Sequence, residues 1–123
     1  MKFSVNQQDL QKSLNYCQGV IEKRSTLPIL SNVLLEVSNA NLTITATDLD
    51  LIFIHKIPNV EISEEGKTTS SSSIMYDIVR KFSSGSKINF SNPSENKLHL
   101  ESDKSVFNLN CINASEFPLT DEN

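Results

Sequence analysis

Tryptophan is absent from the 123 residues, and glycine occurs only three times. With no two glycines adjacent there is no loop of the kind that cradles phosphate. Glycine and proline are sparse while charged and apolar fractions are ordinary, which argues against wholesale disorder. No apolar run approaches the roughly 18 residues that a membrane helix needs. The opening Met1-Lys2-Phe3-Ser4-Val5 lacks an apolar signal core, so the expectation is a cytoplasmic protein with no membrane partner. Cys17 and Cys111 are too few for a disulfide framework and read as reduced core residues. Positive charge is short as well: 11 Lys and Arg against 15 Asp and Glu leave a net charge of −4. That balance argues against a protein that coats DNA by charge alone.

Catalytic chemistry is equally hard to find. His55 and His99 fall within strand patterns, with no cysteine or carboxylate nearby at metal-ligand spacing. Thr47-Asp48-Leu49-Asp50 places two carboxylates at a strand corner, a pairing more common in turns than in cation sites. No serine sits in a Gly-x-Ser-x-Gly elbow. The expectation is a non-enzyme without metal or cofactor.

What the chain does contain is a duplicated pattern in a length suited to one domain. Lys2–Val5 alternates as a short strand, and Asn6 is placed to cap a helix. Leu10, Leu14, Cys17 and Ile21 make one apolar stripe, with Gln8, Gln11, Lys12, Asn15 and Gln18 on the open face. Pro28 forces extended chain after the helix. Strands are expected at Ile29–Val37, Leu42–Thr47 and Leu51–Ile57, followed beyond Pro58 by an acidic loop, Glu61–Gly66. The order then recurs: a strand at Lys67–Ser70, a helix carrying Met75, Ile78, Val79 and Phe82 on its apolar face, and strands at Lys87–Ser91, Lys97–Ser102 and Ser105–Ile112. Residues 1–57 and 67–112 both read strand-helix-strand-strand-strand. Two such units side by side predict an α+β domain over 1–123, with both helices on one face of a continuous, curved antiparallel sheet. Ser70–Ser73 as a flexible linker between two lobes is the alternative.

The charge is unevenly placed. Segments 6–24 and 71–82 hold five basic and three acidic residues, and the remaining chain six basic and twelve acidic. Lys12, Lys23, Arg24, Arg80 and Lys81 on or beside the helices are therefore candidates for sequence-independent phosphate contact. No recognition helix or exposed aromatic platform indicates base reading. So few cations in an acidic protein imply weak binding, which holds DNA only if something other than affinity retains it. The last strand, Ser105–Ile112, is expected to be an uncovered edge with Phe107 and Leu109 on one face and Val106 on the other.

Several ordered segments carry a resemblance: Met1–Val5, Arg24-Ser25-Thr26-Leu27-Pro28-Ile29-Leu30, Thr47-Asp48-Leu49, Gly66-Lys67-Thr68-Thr69, Asp77-Ile78-Val79-Arg80, Phe107-Asn108-Leu109 and Glu116-Phe117-Pro118. Together they resemble the first of three domains of the bacterial sliding clamp family, the β subunit of DNA polymerase III. The resemblance implies a non-enzymatic processivity factor whose two subunits close head to tail around double-stranded DNA, helices inward. It implies that Arg24 meets phosphate from the channel wall, and that the last strand, with Lys104 and Ile74 nearby, meets the second subunit. Some relatives carry basic residues where this chain has Ile74 and Val106. That leaves open either an ionic contact through Lys97 and Lys104 or a more apolar one. Replicative polymerase and clamp loader would engage domains beyond these residues, the length reading as a piece of a longer protein. A small adaptor that binds a protein partner along its sheet edge is the alternative function.

Overall fold

The computed structural model describes residues 1–21, 28–102 and 104–118. Strand β1 (Lys2–Asn6) runs directly into helix α1 (Gln7–Gln18). The switch is made by Asn6, whose backbone stays extended while its Oδ1 accepts from the N–H groups of Gln8 and Asp9 at 2.9 and 3.2 Å. Two of the helix's unpaired donors are thereby satisfied. The second helix, α2 (Ser72–Val79), starts the same way, with the Ser71 hydroxyl accepting from the Ile74 N–H at 3.3 Å. It ends one turn sooner than its apolar spacing suggests. Arg80 caps it, and Lys81 and Phe82 follow in a turn, Phe82 remaining buried.

The remaining strands are β2 (Asn32–Ser38), β3 (Asn41–Thr47), β4 (Ile52–Ile57), β5 (Glu61–Glu64), β6 (Gly66–Ser71), β7 (Lys87–Ser94), β8 (Lys97–Ser102) and β9 (Ser105–Ile112). All pair antiparallel in one nine-stranded sheet of order β4-β3-β2-β6-β9-β8-β7-β1-β5. The β2–β3 hairpin turns on Asn39 and Ala40, whose φ values of 51° and 64° match the right-handed twist of the flanking strands.

Both helices lie on one face of this sheet, as the duplicated pattern predicts. Leu10, Leu14 and Cys17 from α1 join Met75, Ile78 and Val79 from α2 in a single core with Val33, Leu35, Ile44, Leu98 and Leu100 of the strands. The helices also touch each other through the buried Gln7, whose Nε2 donates to the Val79 carbonyl at 2.9 Å. At the other end the Ser72 hydroxyl donates to Gln18 Oε1 at 3.1 Å.

Four expectations need correction. The first strand after α1 begins at Asn32 rather than Ile29, because Pro28–Ser31 forms a 3-10 turn whose opening position suits a residue with fixed φ and no N–H. The acidic segment after Pro58 is not a loop. Glu61–Glu64 forms β5 on β1, turning Ile62 toward the core and leaving its charges outside. There Glu61 meets Lys87 Nζ at 3.0 Å and Glu64 meets the N-terminal amine at 3.3 Å. Ser70–Ser73 is no linker: Ser70 and Ser71 pair with Val33 and Asn32 of β2, Ser72 opens α2, and Ser70 and Ser72 are fully buried. Finally, β9 is not an outer edge of the sheet. It lies between β8 and β6, held to β6 at Thr69↔Ile112 and Ser70↔Cys111, because its last residues bend back onto the strand that opens the second repeat.

Candidate nucleic-acid face and half-open strand

Helical geometry puts residues three and four apart on one stripe. Burial of Leu10, Leu14 and Cys17 therefore turns Gln8, Lys12 and Asn15 outward, with Gln11 half-buried beside them. On α2 the same logic exposes Asp77 and Arg80, and Lys81 stands exposed just beyond. Lys12 and Arg80 line a common hollow between the helices. Lys23 and Arg24, and so the motif residue expected on the channel wall, lie outside the described residues.

Arg80 is held from two sides. Its guanidinium carbon sits 5.2 Å from the centre of the Tyr76 ring, and Nη2 lies 3.6 Å from Asp77 Oδ1. Both members of the ion pair are more than half exposed, so the pair contributes little to stability. It does halve the local charge. Among the described residues of α1, α2 and the turn after it, three cations (Lys12, Arg80, Lys81) stand against two carboxylates (Asp9, Asp77). The character of this face comes from amides more than from charge. The sequence reading named the amides without weighing them, and it missed Tyr76 altogether. The signal was present as i,i+4 pairs, Gln7 with Gln11 and Tyr76 with Arg80.

The second feature is β9. Ser105–Asn110 pairs with β8 along its whole length, but only Cys111 and Ile112 pair with β6. Ahead of that junction no described strand lies on the β6 side of β9, leaving a row of backbone groups open to a further strand. Ile74 and Val106 are half exposed, and Phe107 and Leu109 are partly buried. Phe107 stands edge-on to Phe82 with ring centres 5.7 Å apart. Ile74 and Leu109 face each other across an apolar cleft of about 200 Å³. Lys104, with φ of 71°, sits exposed in the tight β8–β9 turn. Val106 points to the opposite face, away from this group, as strand alternation requires.

The remaining candidates have structural partners. His55 Nδ1 is 2.9 Å from the buried Ser13 hydroxyl, and His99 Nδ1 is 2.9 Å from Asn108 Oδ1. Asp48 Oδ1 accepts from the N–H groups of Asp50 and Leu51 at 3.0 and 2.7 Å, shaping the corner in which Leu49 takes a φ of 83°. Among the described residues no group of three His, Cys, Asp or Glu side chains is placed to hold a metal ion. Among them, too, no helix is long and apolar enough to cross a membrane. Cys17 and Cys111 are free and buried, and burial pushes both thiols up, Cys17 to about 12.

Comparison with known proteins places this geometry in a family. Residues 1–121 match the model of the DNA polymerase III beta subunit, N-terminal domain. The chain is 35% identical to the beta sliding clamp of Caulobacter vibrioides over 120 residues, covering 97% of this chain and 32% of that protein. It is also 35% identical to the beta sliding clamp of Escherichia coli K12 over 122 residues, covering 99% and 33%. The crystal structure of a sliding clamp from Bartonella birtlesii bound to griselimycin superposes on the whole chain with a TM-score of 0.94 at 35% identity, over 32% of its own length. The polymerase III β subunit of Pseudomonas aeruginosa does so with a TM-score of 0.93 at 32% identity, over 33% of its length. The chain thus spans about a third of the proteins it matches. It belongs to the bacterial β sliding clamp family, aligning with the N-terminal domain of the DNA polymerase III β subunit.

Proposed function

We propose that this chain acts as the first of three domains of a sliding clamp, one wall of a ring that encircles duplex DNA and tethers the replicative polymerase. The observation that carries the reading is the shared placement of both helices. They present Lys12, Arg80 and Lys81 with a row of amides on one side, and the sheet closes the other. Such a face contacts phosphates without reading bases. Arg24 joins it by resemblance, and Lys23 as its neighbour in sequence. Weak contact suffices because retention is topological, and the domain contributes no catalytic group.

The half-open β9 is the surface for a second subunit, through Phe107, Leu109 and Ile74 with Val106 and Lys104 at its margin. A strand added there continues the sheet, and a head-to-tail contact of this kind closes into a ring. Polymerase and clamp loader dock on domains beyond these residues. The complete clamp, loaded on nicked circular DNA, is expected to survive gel filtration and to be lost once the circle is cut. Equal loss from circular and linear DNA would overturn the reading.

A further inference from the structure

The sheet face turned away from the helices carries an imidazole and a carboxylate side by side. Along β8, Leu98 and Leu100 point into the core, so alternation puts Lys97, His99 and Glu101 on the outward face. The side chains of His99 and Glu101 are 30% and 55% exposed. The register sets Ser91 of β7 on one side of His99 and Asn108 of β9 on the other.

Asn108 fixes the tautomer of the ring. His99 Nδ1 lies 2.9 Å from Asn108 Oδ1. An amide oxygen only accepts, so Nδ1 carries the proton and the neutral ring keeps its lone pair on Nε2. Nε2 in turn lies 3.6 Å from Glu101 Oε1. With the ring neutral, two lone-pair atoms stand close with no hydrogen between them. A cation resolves that contact, as a second proton on the ring or as a metal ion.

The spacing suits a metal. Two ligands each about 2.0–2.1 Å from zinc, at the tetrahedral angle, stand about 3.4 Å apart. A metal-bound histidine almost always donates its other N–H to an oxygen acceptor, as Nδ1 does here. Beside the pair lies a hollow of about 200 Å³ whose wall includes Ser63, Asn89 and Ser91. Their hydroxyl and amide groups can hydrogen-bond the waters of a coordination shell. The neighbouring cations do not fill the place. Lys97 Nζ donates to Asn110 Oδ1 at 2.9 Å. Lys2, which also lines the hollow, is two strands from His99, about 10 Å by strand spacing.

We propose that His99 Nε2 and Glu101 Oε1 chelate a zinc-type divalent ion, with water in the two remaining positions. Such ions accept imidazole nitrogen and carboxylate oxygen together, whereas magnesium and calcium take oxygen ligands. Both protein ligands come from one strand, so the ion does not tie the fold together and exchanges with solvent. The site is independent of the clamp reading and lies across the sheet from the helix face.

The test uses the 123-residue chain with zinc chloride at about pH 7.5, where an ordinary imidazole is mostly neutral. It reads NMR of the backbone amides and imidazole nitrogens, and the amide spectrum also shows whether each variant is folded. Zinc should shift His99 Nε2 and the amides of β8, with one ion per chain by calorimetry, and magnesium chloride should shift neither. His99→Gln should abolish binding. Glu101→Gln and Asn108→Ala should each weaken it about tenfold or more, the second although Asn108 touches no metal. No zinc binding would overturn the proposal and leave His99 and Glu101 an ion pair formed when the ring takes a second proton. Shifts centred on His55, Cys17 or Cys111 would overturn it too, as would magnesium reproducing the zinc shifts. Glu101→Gln binding as tightly as wild type would overturn the chelate, and full affinity in Asn108→Ala would overturn the ring orientation on which it stands.

Discussion

The two halves of the domain share a pattern and differ in how each one finishes. In the first, α1 has 12 residues, and the chain breaks at Pro58 before returning as β5 to pair with β1. In the second, α2 has 8 residues, and β9 runs unbroken until its last two residues reach β6. The first half spends four separate residues on its return; the second uses the tail of a strand already paired to β8. Among the described residues the β6 side of β9 stays open as a result, bordered by Ile74, Phe107 and Leu109. The halves also trade strands. β1 of the first pairs with β7 of the second, and β6 of the second with β2 of the first. Neither half owns its sheet, so near-equal repeats make one indivisible core.

That comparison breaks most visibly in the core. Leu42 opens the buried face of β3 as Leu98 opens that of β8, and both are fully buried. Leu42→Ala and Leu98→Ala should each cost about 3 kcal/mol. Both should shift one cooperative urea transition by circular dichroism; two separable transitions would mean the halves fold apart.

At the half-open strand, Phe107→Ala in the complete clamp should weaken subunit association by about 2 kcal/mol. Val106→Ala, on the other face, should have a smaller effect. Sedimentation over a dilution series checks this, and equal dissociation constants for Phe107→Ala and wild type would remove Phe107 from the contact.

The thiols sharpen the comparison through pH. Cys17 in α1 rises from an ordinary 9.0 to about 12 by burial alone, while the rise at Cys111 in β9 is opposed by a hydrogen bond with Thr68 and by nearby Lys97. An acid with a raised folded pKa keeps its proton where the unfolded chain has lost it. Its contribution is therefore complete below about pH 9 and falls as pH rises toward about 12, by up to about 1.4 kcal/mol per unit. Urea midpoints at about pH 8 and about pH 10 should fall less in Cys17→Ala than in wild type, and Cys111→Ala should recover less of the drop. An identical fall in all three would sink the assignment.

The caps give the smallest difference. Asn6 serves two N–H groups and Ser71 one, at a longer distance. Asn6→Ala should cost about 1 kcal/mol and Ser71→Ala roughly half that. Thermal midpoints that rank them in reverse would contradict the reading of the two helix starts.

Local pattern made much of this legible. The stripes of Leu10, Leu14 and Cys17 and of Met75, Ile78 and Val79 located both helices, and β8 and β9 begin and end where their alternation does. What escaped depended on distant partners. Four residues of β5 with a single isoleucine carry almost no strand signal, and they become a strand because β1 lies beside them. The junction of β9 with β6 is likewise a tertiary event. At the candidate face, counting charges found Lys12, Arg80 and Lys81 but not the hollow. Its shape depends on Gln7 being buried between helices that meet only in the fold.

The exchange of strands has a further consequence, for the order in which the molecule is made. Lys2 pairs with Glu64 on one side and Ser91 on the other, so β1 waits for one neighbour until β5 is made and for the other until β7 is. Contacts so far apart in sequence close slowly, and an unpaired strand meanwhile invites wrong partners. Stalled nascent chains that expose residues 1–86 should be cut readily by protease, and those that expose β7 to β9 should resist. Protection already present at residue 86 would mean that the first half has a fold of its own.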